Sequence, residues 1–253
     1  MKLEFKKDAL LNGINIVSKA IPSRTTMSIL ECILIDADAG EIKLTGNDME
    51  LGIETKVEGS ILERGKIALE AKLFYEIIRK LPDGDTPVTI TSDNRFNTVI
   101  ECENAVFNIQ GRDGEEFSYL PYIERDQHIS LTQFTLKEAI RQTIFSISPN
   151  DSNKMMAGEL LEVKDDFLKV VSLDGHRISI RNIQLKEHYD NHKVIVPGKT
   201  LSEISKILTG DNEKEVLIYF SKNHILFEFD DTVVVSRLID GEYFKIDHML
   251  SSD

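Results

Sequence analysis

Lys72-Leu73-Phe74-Tyr75-Glu76-Ile77-Ile78-Arg79-Lys80-Leu81 returns, 127 residues later, as Lys199-Thr200-Leu201-Ser202-Glu203-Ile204-Ser205-Lys206-Ile207-Leu208. In both segments apolar side chains recur at three- and four-residue spacing, the pattern of an amphipathic helix. The same offset carries Asp113-Gly114-Glu115 onto Asp240-Gly241-Glu242 and Phe117 onto Phe244. One chance likeness between two short helices would not keep that register. Two further echoes fall at neighbouring offsets: Asp48 maps near Asp174, and Ala9-Leu10…Ile14…Val17 maps onto Ala139-Ile140…Ile144…Ile147.

The repeat predicts two copies of one unit, 1–125 and 126–253, joined near Leu120 to Gln127, where Pro121 and several charges interrupt the apolar pattern. Each copy has an amphipathic helix near its start (8–20 and 136–147) and another midway (70–81 and 199–208). The remainder reads as short strands rich in β-branched residues, separated by Gly, Asp and Asn turns: Ile29 to Ile35, Glu41 to Thr45, Val88 to Thr91, Thr98 to Cys102, Phe167 to Val171, Val216 to Phe220, Ile225 to Phe229 and Val233 to Leu238. The expectation is an α+β fold with two helices and about eight antiparallel strands per unit.

Composition sets the outer limits. With 41 % apolar and 29 % charged residues in 253, the chain can bury a core. No apolar run is long enough to span a membrane, and Met1-Lys2-Leu3-Glu4-Phe5-Lys6-Lys7 lacks the apolar stretch of a signal peptide, so a cytoplasmic protein is expected. Cys32 and Cys102 each lie in an apolar, strand-like run and read as reduced core thiols, with no metal site or cofactor implied.

The net charge is −13, which by itself argues against a nucleic-acid partner. Distribution changes the reading. Counted over 7–20, 70–81, 136–147 and 199–208, each helical segment sums to +1, so the helices are basic and everything outside them is strongly acidic. Lys and Arg are good helix formers, and a solvated helix face is normally charged. The same sign at equivalent places in both repeats nevertheless singles out Lys72, Arg79, Lys80, Lys137, Arg141, Lys199 and Lys206 as candidate contacts for duplex phosphates. No base-reading helix, zinc finger or aromatic stacking platform accompanies them, so such contact would ignore sequence.

Arg24-Thr25-Thr26-Met27-Ser28-Ile29-Leu30, with Leu44-Thr45-Gly46-Asn47-Asp48-Met49-Glu50-Leu51, resembles the first-domain signature of bacterial replicative sliding clamps, the beta subunits of DNA polymerase III. Val171-Ser172-Leu173-Asp174-Gly175-His176-Arg177-Ile178 resembles that family's Asp-Gly-His-Arg motif, and Val194-Ile195-Val196-Pro197-Gly198-Lys199 and Leu238-Ile239-Asp240-Gly241 follow in order. The resemblance implies a DNA-clamp fold, with helices on the inner face of a ring and sheets outside, and a non-catalytic processivity factor. Its implied partners are double-stranded DNA, the replicative polymerase, the clamp loader, and repair polymerases, ligase or mismatch-repair proteins that dock through short peptides.

Carried over by position, the docking pocket would comprise Met156, Leu173, Gly175, His176, Arg177, Ile178, Phe244, His248 and Met249, and the loop contacts to DNA would be Arg24 and Asn150. Phe244 stands where the family usually has proline, and His248 replaces a more common polar residue. The family has three such domains and closes as a head-to-tail dimer, so a third domain is absent from this sequence. Six domains would also arise from a trimer, as in the two-domain clamps of archaea and eukaryotes. His176 between Asp174 and Arg177 invites a general-base reading, but no nucleophile motif, Walker loop or dinucleotide turn accompanies it. A scaffold that never holds DNA, or an enzyme with an unrecognised site, are the alternatives from other classes.

Overall fold

The computed structural model describes residues 1–148, 153–246 and 249. The chain folds into two compact units, Met1–Tyr122 with Asp230–Val235, and Ile123–Phe229 with the residues from Ser236 on. This division falls three residues before the expected one after residue 125, with the short segment Asp230–Val235 grouped with the first unit. Grouping of that kind is set by spatial contact, which sequence self-similarity does not register.

The first unit contains β1 (Lys2–Phe5), α1 (Lys7–Val17), β2 (Cys32–Asp36), β3 (Lys43–Asn47), β4 (Leu51–Lys56), β5 (Gly59–Glu63), β6 (Lys66–Glu70), α2 (Ala71–Lys80), β7 (Val88–Ser92), β8 (Asn97–Cys102), β9 (Ala105–Gln110) and β10 (Arg112–Asp113). Its strands run in the orders β5-β1-β7-β8-β9 and β10-β6-β2-β3-β4, and each described pairing is antiparallel. α1 and α2 pack on each other, and α1 also lies against β3 and β4. Glu70 starts α2 by accepting the backbone N–H groups of Lys72 (3.1 Å) and Leu73 (3.0 Å), and Pro82 prevents its continuation. Its buried stripe is Ala71, Phe74, Ile77 and Ile78. Burial of Phe74 alone is worth about 2 kcal/mol.

The rest of the chain holds β11 (His128–Thr132), α3 (Gln133–Thr143), β12 (Gly158–Leu173), β13 (Ile178–Pro197), α4 (Gly198–Ile207), β14 (Glu215–Phe220), β15 (His224–Phe229) and β16 (Thr232–Arg237). β12 and β13 form one long antiparallel hairpin, and β14 lies between β11 and β15. α3 begins three residues before the predicted 136 because the Thr132 hydroxyl accepts the Thr135 N–H at 3.1 Å. Beyond Thr143 the helix tightens into a 3-10 turn, Ile144–Ser146, as α1 does over Ser18–Ala20.

The α+β class with antiparallel sheets is as expected, but strand lengths are not. Ten strands precede residue 122 and six follow it among the described residues, where about eight per unit were expected. The 16 residues of β12 and 20 of β13 are the reason. Bulges around Asp165, which has φ +54°, keep β12 paired through the charged run Lys164-Asp165-Asp166 that breaks its apolar pattern. Ile29 to Glu31 is also not strand. Leu30 N–H donates to Met27 O (3.0 Å), folding Ser28–Glu31 into a 3-10 turn before β2.

One contact shows the repeat at atomic level. A Cβ at Gly46 on β3 would run into the Val17 carbonyl oxygen at the end of α1. Ser172 on β12 stands 126 residues on, and its hydroxyl donates to the Thr143 carbonyl, also 126 residues on, at 2.5 Å. The same helix carbonyl is thus met by a bare backbone in one repeat and by a hydroxyl in the other. Gly46→Ala is expected to destabilise the protein by about 1–3 kcal/mol, because the obstructing atom is backbone and cannot swing aside. Urea unfolding of the variant checks this.

Cys32 and Cys102 are free and buried, and burial pushes both thiols up from their ordinary range. Among the described residues no helix is long and apolar enough to cross a membrane.

Candidate functional site

β12 and β13 meet in the turn Asp174 to Arg177, with Gly175 at φ +83°. Asp174 organises that turn. Its Oδ1 accepts the backbone N–H groups of His176 (3.1 Å) and Arg177 (3.2 Å), and its Oδ2 accepts Arg177 Nε at 2.8 Å. These bonds, led by the His176 N–H, hold the Asp174 carboxyl below the usual range. His176 contributes main chain to this carboxylate, so the acid orients a turn and a guanidinium.

Leu173 and Ile178 face each other across the hairpin just beyond the turn. Leu173, 2 % exposed, joins Leu160, Val171, Ile195, Tyr243 and Ile246 in a buried cluster, and Met155, Met156, Ile178, Ile180, Ile239 and Phe244 pack against it while still partly exposed. Of the apolar residues expected in the pocket, Met156, Leu173, Ile178 and Phe244 fall in this one cluster. Gly175, His176 and Arg177 stand exposed in the adjoining turn. Phe244 sets its ring edge-on to Tyr243, centroids 5.6 Å apart, and the Tyr243 hydroxyl donates to Val171 O at 3.3 Å. Met249 is 52 % exposed, its N–H donating to Ile246 O at 2.8 Å. His248 and Asn150 lie outside the described residues.

Phe145 was not singled out by sequence. It follows α3 in the 3-10 turn, is 56 % exposed, and has the Arg177 guanidinium 5.7 Å from its ring centroid. Arg177 is therefore held on one side by a carboxylate and placed over an aromatic ring. No spacing links positions 145 and 177, so only the folded hairpin reveals the pair. Met155, Ile180 and Ile239 join the cluster in the same way.

The basic helix residues divide into two kinds. Arg79, Lys80, Arg141 and Lys206 are exposed, and each is bonded to a glutamate on its own helix: Arg79 to Glu76 (2.8 Å), Lys80 to Glu76 (3.5 Å), Arg141 to Glu138 and Lys206 to Glu203 (2.8 Å). Arg141 makes the fullest contact, with Nε on Oε1 (2.8 Å) and Nη2 on Oε2 (2.7 Å). Bonds from the arginines hold Glu76 and Glu138 below the usual carboxylate range. Lys72 and Lys199 are exposed in the first turns of α2 and α4, and Arg24 is exposed in the loop after α1.

Lys137 belongs to the other kind. It is half-buried, and its Nζ donates to Leu208 O at 2.7 Å, closing the C-terminus of α4. Lys7 does the same for α2, donating to Leu81 O at 2.6 Å and pairing with Asp83 at 2.5 Å. One lysine in each helix pair thus satisfies a helix-end carbonyl, which a count of charges along the sequence cannot show. Among the described residues no cluster of three or more His, Cys, Asp or Glu is arranged to hold a metal ion.

Comparison with known proteins follows the same halves. Residues 1–121 match the family described as DNA polymerase III beta subunit, N-terminal domain, and residues 130–245 match its central domain. Beta sliding clamps of Staphylococcus epidermidis and Staphylococcus aureus are 36 % identical over 251 residues, covering 96 % of this chain and 66 % of theirs. The chain thus spans just under two thirds of the length of those relatives. A DNA polymerase sliding clamp from Bacillus subtilis superposes with a TM-score of 0.95 at 34 % identity, over 100 % of this chain and 68 % of that one. A crystal structure from Eubacterium rectale, assigned to the beta subunit of DNA polymerase III, gives 0.97 at 66 % identity, over 100 % and 69 %.

Proposed function

Because the chain belongs to the DNA polymerase III beta subunit family, we propose that it acts as a sliding clamp, a non-catalytic processivity factor that holds duplex DNA and tethers a polymerase to it. The observation that carries the reading is the match of both halves, in order, to the family's first two domains, together with the 0.95 superposition on a sliding clamp. The exposed cations of α2, α3 and α4 suit phosphates and offer no pattern for base edges, which supports holding without sequence preference.

In this reading Arg24, Lys72, Arg79, Lys80, Arg141, Lys199 and Lys206 contact phosphate, Asn150 is a further expected contact outside the described residues, and Lys137 acts by fixing the end of α4 against α3. The half-exposed methionines and aliphatic residues around Leu173 make an adaptable groove for a short peptide with apolar anchors. Its users would be the replicative polymerase, the clamp loader, repair polymerases, ligase and mismatch-repair proteins. A head-to-tail ring of clamp chains working in the cytoplasm completes the proposal.

Changing Lys80, Arg141 and Lys206 together to Gln in the full-length protein is expected to shorten the DNA made per polymerase binding event, while peptide capture persists. Primer extension against a DNA trap measures this, and unchanged product lengths would sink the DNA half of the proposal. For the docking half, Phe145→Leu is expected to weaken a fluorescent peptide carrying adjacent aliphatic and aromatic residues about two- to fivefold, and Phe145→Tyr to restore it, since the ring face supports Arg177. Equal affinity for all three proteins would remove Phe145 from the site.

A further inference from the structure

Three helices carry the same device. Glu76 and Arg79 on α2, Glu138 and Arg141 on α3, and Glu203 and Lys206 on α4 are each a glutamate followed three residues later by a bonded, more exposed cation. The first and last are repeat counterparts, 127 residues apart. α1 differs. Its Asp8 matches Glu138 at the offset that matches Lys7 to Lys137, but Leu11 stands where α3 has Arg141, and Asp8 has no cation partner among the described residues.

We propose that Glu76, Glu138 and Glu203 compete with DNA phosphates for the helix cations and so weaken the grip on the duplex. This rests on the reading of those cations as the DNA contact. Both Glu138 oxygens occupy Nε and Nη2 of Arg141, the same fork a phosphate would take, so contact with DNA through that fork displaces the glutamate. The freed carboxylate then recruits a counterion from solution. That uptake offsets the counterion released from DNA when Arg141 arrives, so both affinity and its salt dependence are lowered. A protein that must hold DNA and still move along it gains from a grip of this kind.

Exposed pairs of this sort shift an equilibrium by about two- to fivefold each. In the full-length protein, the triple variant Glu76→Gln/Glu138→Gln/Glu203→Gln is expected to bind a fluorescein-labelled duplex of arbitrary sequence about tenfold or more tightly. The plot of log affinity against log salt should steepen by roughly one for each cation released. Asp8→Asn is the control, since it removes a helix carboxylate without freeing a cation, and its slope should stay at the wild-type value. The inference is overturned if the triple variant keeps the wild-type slope, or if its gain per charge removed only equals that of Asp8→Asn. Should Lys80→Gln/Arg141→Gln/Lys206→Gln bind the duplex as wild type does, the DNA reading fails and the inference with it.

Discussion

Glu159→Gln is expected to remove a fall in stability of a few kcal/mol that the wild-type protein suffers between about pH 5 and pH 8. Glu159 on β12 is 0 % exposed, its Oε2 accepts the Thr143 hydroxyl at 3.0 Å, and its Oε1 has no hydrogen-bond partner among the described residues. Burial pushes its pKa from 4.5 up to about 8. Between those values the folded protein keeps a proton that the unfolded chain has released, so stability declines as pH rises, by about 1.4 kcal/mol per pH unit from this group. Below 4.5 both states hold the proton and above 8 both have lost it, so the dependence vanishes at either end. The glutamine cannot ionise. Its amide still leaves one polar atom unmatched beside the Thr143 hydroxyl, which offsets part of the gain, and the sharper readout is therefore the slope. Denaturant unfolding of both proteins at several pH values should give a wild-type-minus-variant difference that falls steadily across the window. A flat difference would mean that Glu159 is ionised or hydrated in the folded state.

Leu173→Ala is expected to cost about 2–5 kcal/mol and to loosen peptide docking as well. Leu173 is 2 % exposed, sits opposite Ile178 across the hairpin, and belongs to the buried cluster against which the half-exposed Met156, Ile178 and Phe244 pack. Removing the isobutyl group leaves a void under the groove. Methionine side chains adjust readily, so Met155 and Met156 are placed to fill part of that void, which puts the loss in the lower half of the range. Their inward shift would take apolar surface from the groove. Thermal unfolding gives the stability term, and peptide titration well below the melting temperature gives the docking term. Full peptide affinity alongside lost stability would make Leu173 core only.

Much of this was legible in the residues themselves. Apolar periodicity located all four helices, because each needs one buried stripe, and errors at their ends trace to caps such as Thr132 that lie outside the stripe. The hairpin β12–β13 was read only in fragments. Its strands run on through Lys164-Asp165-Asp166 and the charged stretch 186–193 with no apolar signal in the side chains, the ladder being kept across them by pairs such as Glu162 with Lys193 and Asp165 with Tyr189. Four residues taken from the motifs, Met156, Leu173, Ile178 and Phe244, lie in one apolar cluster. Arg177 over Phe145, and Glu159 beneath Thr143, have no local signature.

The sequence by itself determined the repeat, the α+β class, the family and the positive charge of α2, α3 and α4, because these depend on residue type and spacing along the chain; α1 ends at Val17, before Lys19, and is neutral. Tertiary structure alone decided which cations stay available. Lys7 and Lys137 are drawn to the ends of neighbouring helices, while Arg79, Arg141 and Lys206 take glutamates one turn away. A charge is a property of the residue, but its partner is set by what lies within about 3 Å of it once the chain has folded.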